Sequence, residues 1–263
     1  MEQVIKNVFV SIPFTMLLDS YLDIFLEQGL NPEIGLDYPA LTRCSMDDFK
    51  KIAATFHERN LSFTFHGPFM DISPGSRDDE IRAVARKRFE QVLALIPIFK
   101  PRAVVFHPGY DRRHYSWYLE NWRERSLEMW SWFSGRVNGE GSRLMLENVY
   151  EDRPEDILFL FEALSSKQRV GFCFDMGHQR VFSKATATEW LNCMEPYLGQ
   201  VHLHDNLGGW DDHMGIGMGD MDFSPLWNHL ARLKGRLPVI TLEPHREIDL
   251  WPSLSALEKL KLF

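Results

Sequence analysis

The 263-residue sequence lacks several features that would assign it to a particular class of protein. Its three cysteines, Cys44, Cys173 and Cys193, are odd in number and form no CxxC pair, which argues against a disulfide framework and a cysteine-based zinc site. No apolar run approaches the roughly 18–20 residues that cross a bilayer. The N-terminal segment lacks the basic and apolar regions of a secretory signal. We therefore expect a cytoplasmic protein without membrane association.

Positive charge is also scarce in this chain. It has 29 Lys+Arg against 37 Asp+Glu, a formal net charge of −8, which disfavours broad binding to a nucleic-acid backbone. Hydrophobic residues make up 44% and charged residues 25%, as in ordinary soluble globular proteins. Disordered and fibrous classes are thereby excluded.

Eight short apolar runs recur along the chain, and each ends near polar or turn residues. Such runs are typical of strands buried on both faces of a parallel sheet. They are Val8–Ile12, Pro32–Leu36, Leu61–Phe65, Ala103–Phe106, Leu144–Leu146, Val170–Phe174, Gln200–Leu203 and Val239–Leu242. Segments with helical spacing of apolar residues lie between them. These are Met16–Gln28, Met46–Arg59, Asp78–Phe99, Ser116–Val137, Glu155–Leu164, Ala187–Met194, Pro225–Leu233 and Leu250–Leu260.

The alternation of eight strands with eight helices predicts an α/β protein built as a single (β/α)8 barrel over residues 1–263. Ser45 and Ser224 are the expected N-caps of two of the helices. The aromatic segment Ser116–Val137 is expected to pack on the barrel, although a partner surface and a homo-oligomer both stay open.

Histidines collect where the predicted strands end. Six of the ten histidines lie at or just after such an end, whereas windows of about five residues after eight strands cover roughly 15% of the chain and predict one or two by chance. The six are His66, His107, His178, His202, His204 and His245. Because a barrel of this kind carries its active site at the carboxyl ends of its strands, these side chains are expected to meet at one mouth.

Carboxylates accompany the histidines at the same strand ends. Glu147, Asp175 and Glu243 each close an apolar run, where an acidic group has few structural reasons to be. Together with His202 they are the donor set expected for a divalent metal such as Zn²⁺ or Mn²⁺. His66 and His107 are further candidate metal ligands. The alternative is that they are ordinary turn histidines of the His-Gly-Pro and His-Pro-Gly segments.

Two more histidines of these strand ends have open roles. His204 shares strand parity with His202, so it either lines the pocket or hydrogen-bonds a ligand carboxylate. His245 either contacts substrate or lies in a solvated loop. His57, His114 and His229 are expected at the surface.

Gly215, Gly217 and Gly219 form a GxGxG segment without the strand and helix of a dinucleotide site, so a flexible loop closing the pocket is the better interpretation.

The ordered motifs HGP, HPG, LENV, FDMGH, VHLHDN with DDH and GxG, and finally LEPH, resemble those of the xylose isomerase-like TIM-barrel superfamily. This superfamily includes sugar and sugar-phosphate isomerases and epimerases as well as the endonuclease IV group. The resemblance spans roughly Leu61 to His245. For the isomerase branch it implies one catalytic divalent metal held by Glu147, Asp175, His202 and Glu243. It also implies that His178 contacts the substrate.

The endonuclease IV branch uses nine ligands for three zinc ions, and residues of matching type occur at all nine positions. These are His66, His107, Glu147, Asp175, His178, His202, Asp211, His213 and Glu243. The chain departs from the nuclease pattern after Glu147, where Asn-Val-Tyr-Glu follows, and between Asp175 and His178, where Met-Gly stands. Only Arg43 supplies positive charge after the first two strands, which puts DNA recognition in doubt.

The leading hypothesis is therefore isomerisation or epimerisation of a small sugar-like carbonyl compound, free or phosphorylated. Glu147 and Glu243 would face opposite sides of the substrate and move the proton next to its carbonyl, with one to three metal ions bound. The alternatives are a phosphoester hydrolase with a zinc cluster and a catalytically silent sugar-binding barrel. Side chains proposed to contact substrate are His204, His245, Phe69, Trp210 and Arg246, and Arg112 and Arg113 are further candidates for an anion clamp.

Overall fold

The computed structural model describes residues 1–168, 170–233 and 235–263, with the backbone alone for 165–168. Eight parallel strands close into a barrel in which each strand pairs with its sequence neighbours and β1 pairs with β8. The strands are β1 (Val8–Pro13), β2 (Asn31–Gly35), β3 (Thr64–His66), β4 (Ala103–Phe106), β5 (Arg143–Glu147), β6 (Gly171–Asp175), β7 (Leu198–Leu203) and β8 (Val239–Leu242). The predicted (β/α)8 barrel is confirmed.

Thirteen α-helices occur in the described part of the chain. They are α1 (Glu2–Asn7), α2 (Phe14–Met16), α3 (Leu22–Gln28), α4 (Tyr38–Arg43), α5 (Met46–Glu58), α6 (Asp79–Phe99), α7 (Arg112–Tyr115), α8 (Leu119–Gly139), α9 (Leu158–Gln168), α10 (Met176–Phe182), α11 (Ala187–Met194), α12 (Ser224–Arg232) and α13 (Glu247–Leu260). A π-helical turn, Leu17–Tyr21, joins α2 to α3, and short 3₁₀ turns cover Ser116–Tyr118, Pro154–Asp156 and Glu195–Tyr197. The additional helices α1, α4, α7 and α10 are too short to show an apolar period in the sequence.

Side-chain caps fix several helix starts. Ser45 and Asp48 form a reciprocal capping box at α5, which confirms the N-cap predicted there. At α12 the prediction was wrong by one residue, because Ser224 is the first helical residue and donates its N–H to the Asp222 carboxylate at 2.9 Å. The aspartate satisfies a free amide of the first turn in place of the serine.

An aromatic core fills the space between the barrel and its outer helices. Phe89 of α6 stacks on Trp130 of α8 with ring centroids 5.0 Å apart, and both contact Phe106 of β4. Trp122 and Trp130 are fully buried, whereas Trp117 is 88% exposed. The expectation that the aromatic segment packs on the barrel therefore holds for α8. His229, expected at the surface, is buried in α12 and was predicted wrongly because its helix presents that face to the core.

Alternate residues of the strands point into the barrel and form polar layers there. Residues two apart on a strand point the same way, as Met145 and Glu147 do on β5 and Gln200 and His202 do on β7. In each pair the first side chain lies in the barrel interior and the second lies at its mouth. Buried polar residues thus line the upper interior. No helix within the described ranges is long and apolar enough to span a membrane.

Candidate metal centre

Four side chains from four strand ends converge on one point at the mouth of the barrel. His202 Nδ1 lies 3.3 Å from Glu147 Oε2 and 3.1 Å from Glu243 Oε1. Glu147, Asp175, His202 and Glu243 each offer a ligand atom, and these atoms all lie within 4.8 Å of one another. The quartet expected from the sequence is therefore assembled, because β5, β6, β7 and β8 all end at this rim.

The Glu147 carboxylate is shared with a second group of imidazoles. Its Oε2 atom is 3.2 Å from His66 Nε2 and 3.6 Å from His107 Nε2. His66, Glu147 and His202 offer ligand atoms within the same 4.8 Å limit. Glu147 is fully buried, so three imidazole nitrogens surround one carboxylate oxygen away from bulk water.

A third group lies on the other side of Glu147, where the loop after β7 meets α10. Asp211 Oδ2 is 3.3 Å from His178 Nε2 and 3.1 Å from His213 Nε2. His204 belongs to the same group of potential ligands, and its Nε2 lies 3.2 Å from Asp175 Oδ2. All nine residues of the nuclease-like pattern thus come together, in three adjoining groups.

Hydrogen bonds to backbone carbonyls fix which ring nitrogen faces the centre. His66 Nδ1 donates to Gly67 O at 2.8 Å, His178 Nδ1 to Asn148 O at 3.0 Å, and His213 Nδ1 to Glu243 O at 3.1 Å. Because a carbonyl oxygen only accepts, each Nδ1 carries a proton, and each ring turns its Nε2 atom toward a carboxylate.

This donor set fits a metal ion. Lone pairs of imidazoles and carboxylates face one another at 3.1–3.3 Å, so only a proton or a cation between them relieves the repulsion. Several buried atoms at the centre have no hydrogen-bond partner in the described chain: His107 Nε2, Glu147 Oε1, His202 Nδ1 and Asp211 Oδ1. Nitrogen and oxygen donors of this kind are those that Zn²⁺ and Mn²⁺ accept.

The electrostatics of the centre favour the ionised forms of Glu147 and Asp211. Burial by itself raises the pKa of Glu147, but the imidazoles of His202, His107 and His178 hold that pKa well below its usual range. The same opposition acts at Asp211, where His178 and His213 overcome burial and lower the pKa of the carboxyl group. Burial lowers the pKa of His107, which favours the neutral ring that a metal requires.

The centre forms the floor of a cavity of about 400 Å³, a size suited to a small molecule. Glu147, Glu243, His178 and His245 contribute to its lining, and Phe69 stands at its wall with half of its surface exposed. Of the residues that the structure describes, no lysine or arginine lines this cavity.

Four sequence candidates for contact with a substrate or its anionic group lie elsewhere. Trp210 is 76% exposed and is absent from the cavity lining, because its loop directs it toward solvent. Arg246 makes a two-pronged ion pair with Asp249 of α13. Arg112 and Arg113 line a separate surface groove, where they pair with Asp152 and Asp111 respectively.

His204 and His245 sandwich the ring of His213. The three imidazoles stack in parallel, with centroids 3.8 and 3.9 Å apart. The loop that carries His213 is ordered around the buried Asp205, whose carboxylate accepts the N–H groups of Gly217 and Met221. The GxGxG segment therefore wraps around an internal carboxylate, and the flexible loop closing the pocket that the sequence favours stays a prediction.

Sequence reasoning overlooked one buried acid of the barrel interior. Glu33 of β2 is fully buried, and its Oε1 atom lies 2.9 Å from His202 Nε2, on the side of the ring opposite the other carboxylates. The signal was available, since an ionisable residue stands inside the apolar run Pro32–Leu36.

The chain belongs to the xylose isomerase-like TIM-barrel family, because the model of that family matches residues 30–261. It is 28% identical over 190 residues to the uncharacterized protein MJ1311 of Methanocaldococcus jannaschii, an alignment that covers 70% of this chain and 64% of that protein. It is also similar to the TTHB071 protein from Thermus thermophilus, whose crystals were soaked with ZnCl₂. That structure is 27% identical, with a TM-score of 0.82 and coverage of 97% of this chain and 98% of that one.

The fold is shared with sugar epimerases. A D-tagatose 3-epimerase-like protein has a TM-score of 0.81 at 22% identity, with 97% of this chain and 96% of that chain covered. Several other structures with the same fold are epimerases of sugars, at identities of 15–17%. At such identities the likeness establishes the fold, and the chemistry has to be argued from the site.

Proposed function

We propose that this protein is a divalent-metal-dependent isomerase or epimerase of a small sugar-like carbonyl compound. The observation that carries the proposal is the placement of Glu147 and Glu243. Both carboxylates approach His202 Nδ1, at 3.3 and 3.1 Å, and both line the same cavity. Two ionised carboxylates over one small-molecule cavity suit removal of a proton beside a carbonyl and its return.

Glu147, Asp175, His202 and Glu243 would hold the cation. When bound, it supplies positive charge that stabilises the negative charge developing on the substrate oxygens. Glu147 and Glu243 accept and return the proton at carbon, since both stay ionised near neutral pH. His178 lies at the cavity wall, where its ring can orient a substrate hydroxyl, and Phe69 limits the access of water.

The lining of the cavity supports an uncharged substrate. Phosphate groups are commonly held by arginine or lysine, and neither type lines the cavity within the described ranges. The arginines proposed as a clamp are held in ion pairs outside it. We therefore infer that the free sugar is preferred over its phosphate.

A metal-dependent turnover assay tests the proposal. The metal-stripped full-length protein, reloaded with Mn²⁺, Co²⁺ or Mg²⁺, is screened against free ketoses and aldoses, and ¹H exchange at the carbon next to the carbonyl is followed in D₂O. Glu147→Gln should abolish exchange while the far-UV spectrum stays native. Glu155→Gln, at an exposed position, is the matched control and should retain full activity. Full activity of Glu147→Gln on the true substrate would remove Glu147 from the mechanism.

A second candidate, hydrolysis of a phosphoester, is favoured by the two donor groups that a one-metal isomerase does not need. His66 with His107, and His178 with Asp211 and His213, adjoin the quartet on either side. Metal analysis separates the two functions, because about one ion per chain supports isomerisation and about three zinc ions support hydrolysis. His213→Ala should then cost one zinc equivalent and the cleavage of bis(p-nitrophenyl) phosphate. Unchanged metal content would make His213 a loop residue.

A further inference from the structure

Glu33 is held by a closed set of hydrogen bonds inside the barrel. Its Oε2 atom accepts from Thr64 Oγ1 at 2.7 Å, from Gln200 Nε2 at 2.6 Å and from Thr241 Oγ1 at 3.1 Å. These donors come from β3, β7 and β8, so the carboxylate bridges strands that are far apart in sequence. One of its two oxygens is thereby fully occupied, and the carboxylate cannot rotate without breaking three hydrogen bonds.

Among the residues that the structure describes, the donor that faces the second oxygen, Oε1, is the ring of His202, whose Nε2 lies 2.9 Å away. Gln200 Nε2 is also close to that ring nitrogen, at 3.1 Å. Its two protons, however, are used by Glu33 Oε2 and by Thr241 Oγ1, which lies at 3.1 Å. With both Gln200 protons donated in this way, none is left for His202 Nε2. That nitrogen therefore carries its own proton, which is directed at Glu33.

We propose that Glu33 is the positioning residue of the metal centre: it holds the proton of His202 on Nε2 and keeps the lone pair of Nδ1 aimed at Glu147 and Glu243. The inference rests on the proposed metal-dependent function. A carboxylate behind a ligating imidazole fixes the orientation of the ring and makes the facing nitrogen a better donor.

His202 differs in this respect from the other rings of the centre. Through Nδ1, His66, His178 and His213 donate to backbone carbonyls, whereas the nitrogen of His202 that points away from Glu147 and Glu243 faces the buried carboxyl group of Glu33. A charge-assisted hydrogen bond is about twice as strong as a neutral one. Of these four rings, His202 is the one held through a side chain that can be replaced, and Glu33→Gln tests that dependence.

The test measures zinc affinity and the position of the ring proton in the full-length protein. Zn²⁺ affinity is obtained by competition with a chelator, and ¹⁵N-histidine NMR of the zinc-loaded protein reports which nitrogen of His202 carries hydrogen, with His202→Gln providing the assignment. In the wild type we expect the proton on Nε2. In Glu33→Gln the amide can donate to Nε2 and drive the proton to Nδ1, so Zn²⁺ affinity should fall about 10–100-fold.

Thr64→Val is the matched control, because it removes one hydrogen bond from Glu33 and keeps the carboxylate. It should bind Zn²⁺ within about threefold of wild type while losing some stability. Equal zinc affinity in Glu33→Gln and wild type, or a wild-type His202 protonated on Nδ1, would overturn the role of Glu33. A wild-type ring protonated on Nδ1 would refute that role even if Glu33→Gln fails to fold. Absence of zinc binding by the wild type would instead refute the proposed function itself.

Discussion

Glu151 should make the stability of this protein fall as the pH rises. Its side chain is 1% exposed, and its Oε2 atom accepts the N–H of Val149 at 2.7 Å. Burial raises the pKa of Glu151 to about 8, and this hydrogen bond offsets only part of the shift. Between the ordinary carboxyl pKa and pH 8, the native state therefore keeps a proton that the unfolded state has released.

The sign of the effect follows from proton linkage. The unfolded state binds fewer protons in this range, so the free energy of unfolding decreases with increasing pH, opposite to the trend for an ion-paired carboxylate. A difference of about 3.5 pKa units corresponds to about 5 kcal/mol at most, and water entering the site lowers that figure. This is a large share of the roughly 5–15 kcal/mol that stabilises a typical domain.

Glu151→Gln should remove this dependence, because the amide oxygen can still accept the Val149 N–H and has no proton to lose. We expect the urea-unfolding midpoints of the two metal-free proteins to be similar near pH 5 and to diverge toward pH 8, with the variant more stable. Comparing the two proteins cancels the titration of the shared histidines. Glu155→Gln, at an exposed position, should show no such divergence. A difference between Glu151→Gln and wild type that stays constant from pH 5 to pH 8 would refute the reasoning.

Three further substitutions probe the scaffold, each by urea unfolding. Ser45→Ala removes the capping box with Asp48 and should cost about 1 kcal/mol, and an unchanged midpoint would show that the cap contributes nothing. Gly67→Ala drives a methyl group into the ring of Phe106 and should cost about 1–3 kcal/mol; a neutral effect would mean that the ring moves freely. Phe89→Ala empties the centre of the aromatic core and should cost about 3–5 kcal/mol, so a loss below 1 kcal/mol would contradict the packing described.

The barrel could be predicted from the sequence because its strands are buried on both faces. A strand of this kind reads as a continuous apolar run, and seven of the eight predicted runs match observed strands to within about two residues at each end. The run Leu61–Phe65 is the exception, since β3 is limited to Thr64–His66. Leu61 and Ser62 are only partly buried and precede the residues that pair with β2, so the apolar run starts before the strand does.

The metal-ligand candidates were predictable for a different reason. Strand ends of a barrel share one rim, so polar residues that close apolar runs must meet even when they are distant in sequence. The direction of side chains in the loops beyond the strand ends follows no such rule. Trp210 and Arg246 stand a few residues past a strand end, where loop conformation decides direction, and the structure turns one to solvent and pairs the other with Asp249. His229 was misjudged because a helix face is set by tertiary packing.

The charge of the centre connects the number of bound ions to the kind of substrate. Glu147, Asp175, Asp211 and Glu243 bring four negative charges to a small volume. One divalent ion leaves the group anionic, which disfavours a phosphate, since like charges 4 Å apart cost about 4 kcal/mol at the effective dielectric constant of a protein surface. Three divalent ions would make the same group cationic and attractive to a phosphoester. Because the described part of the cavity lining contains no lysine or arginine to compensate, the proposed function predicts that metal stoichiometry shifts the sign of that field, so that counting the bound ions tests the choice between sugar and phosphoester.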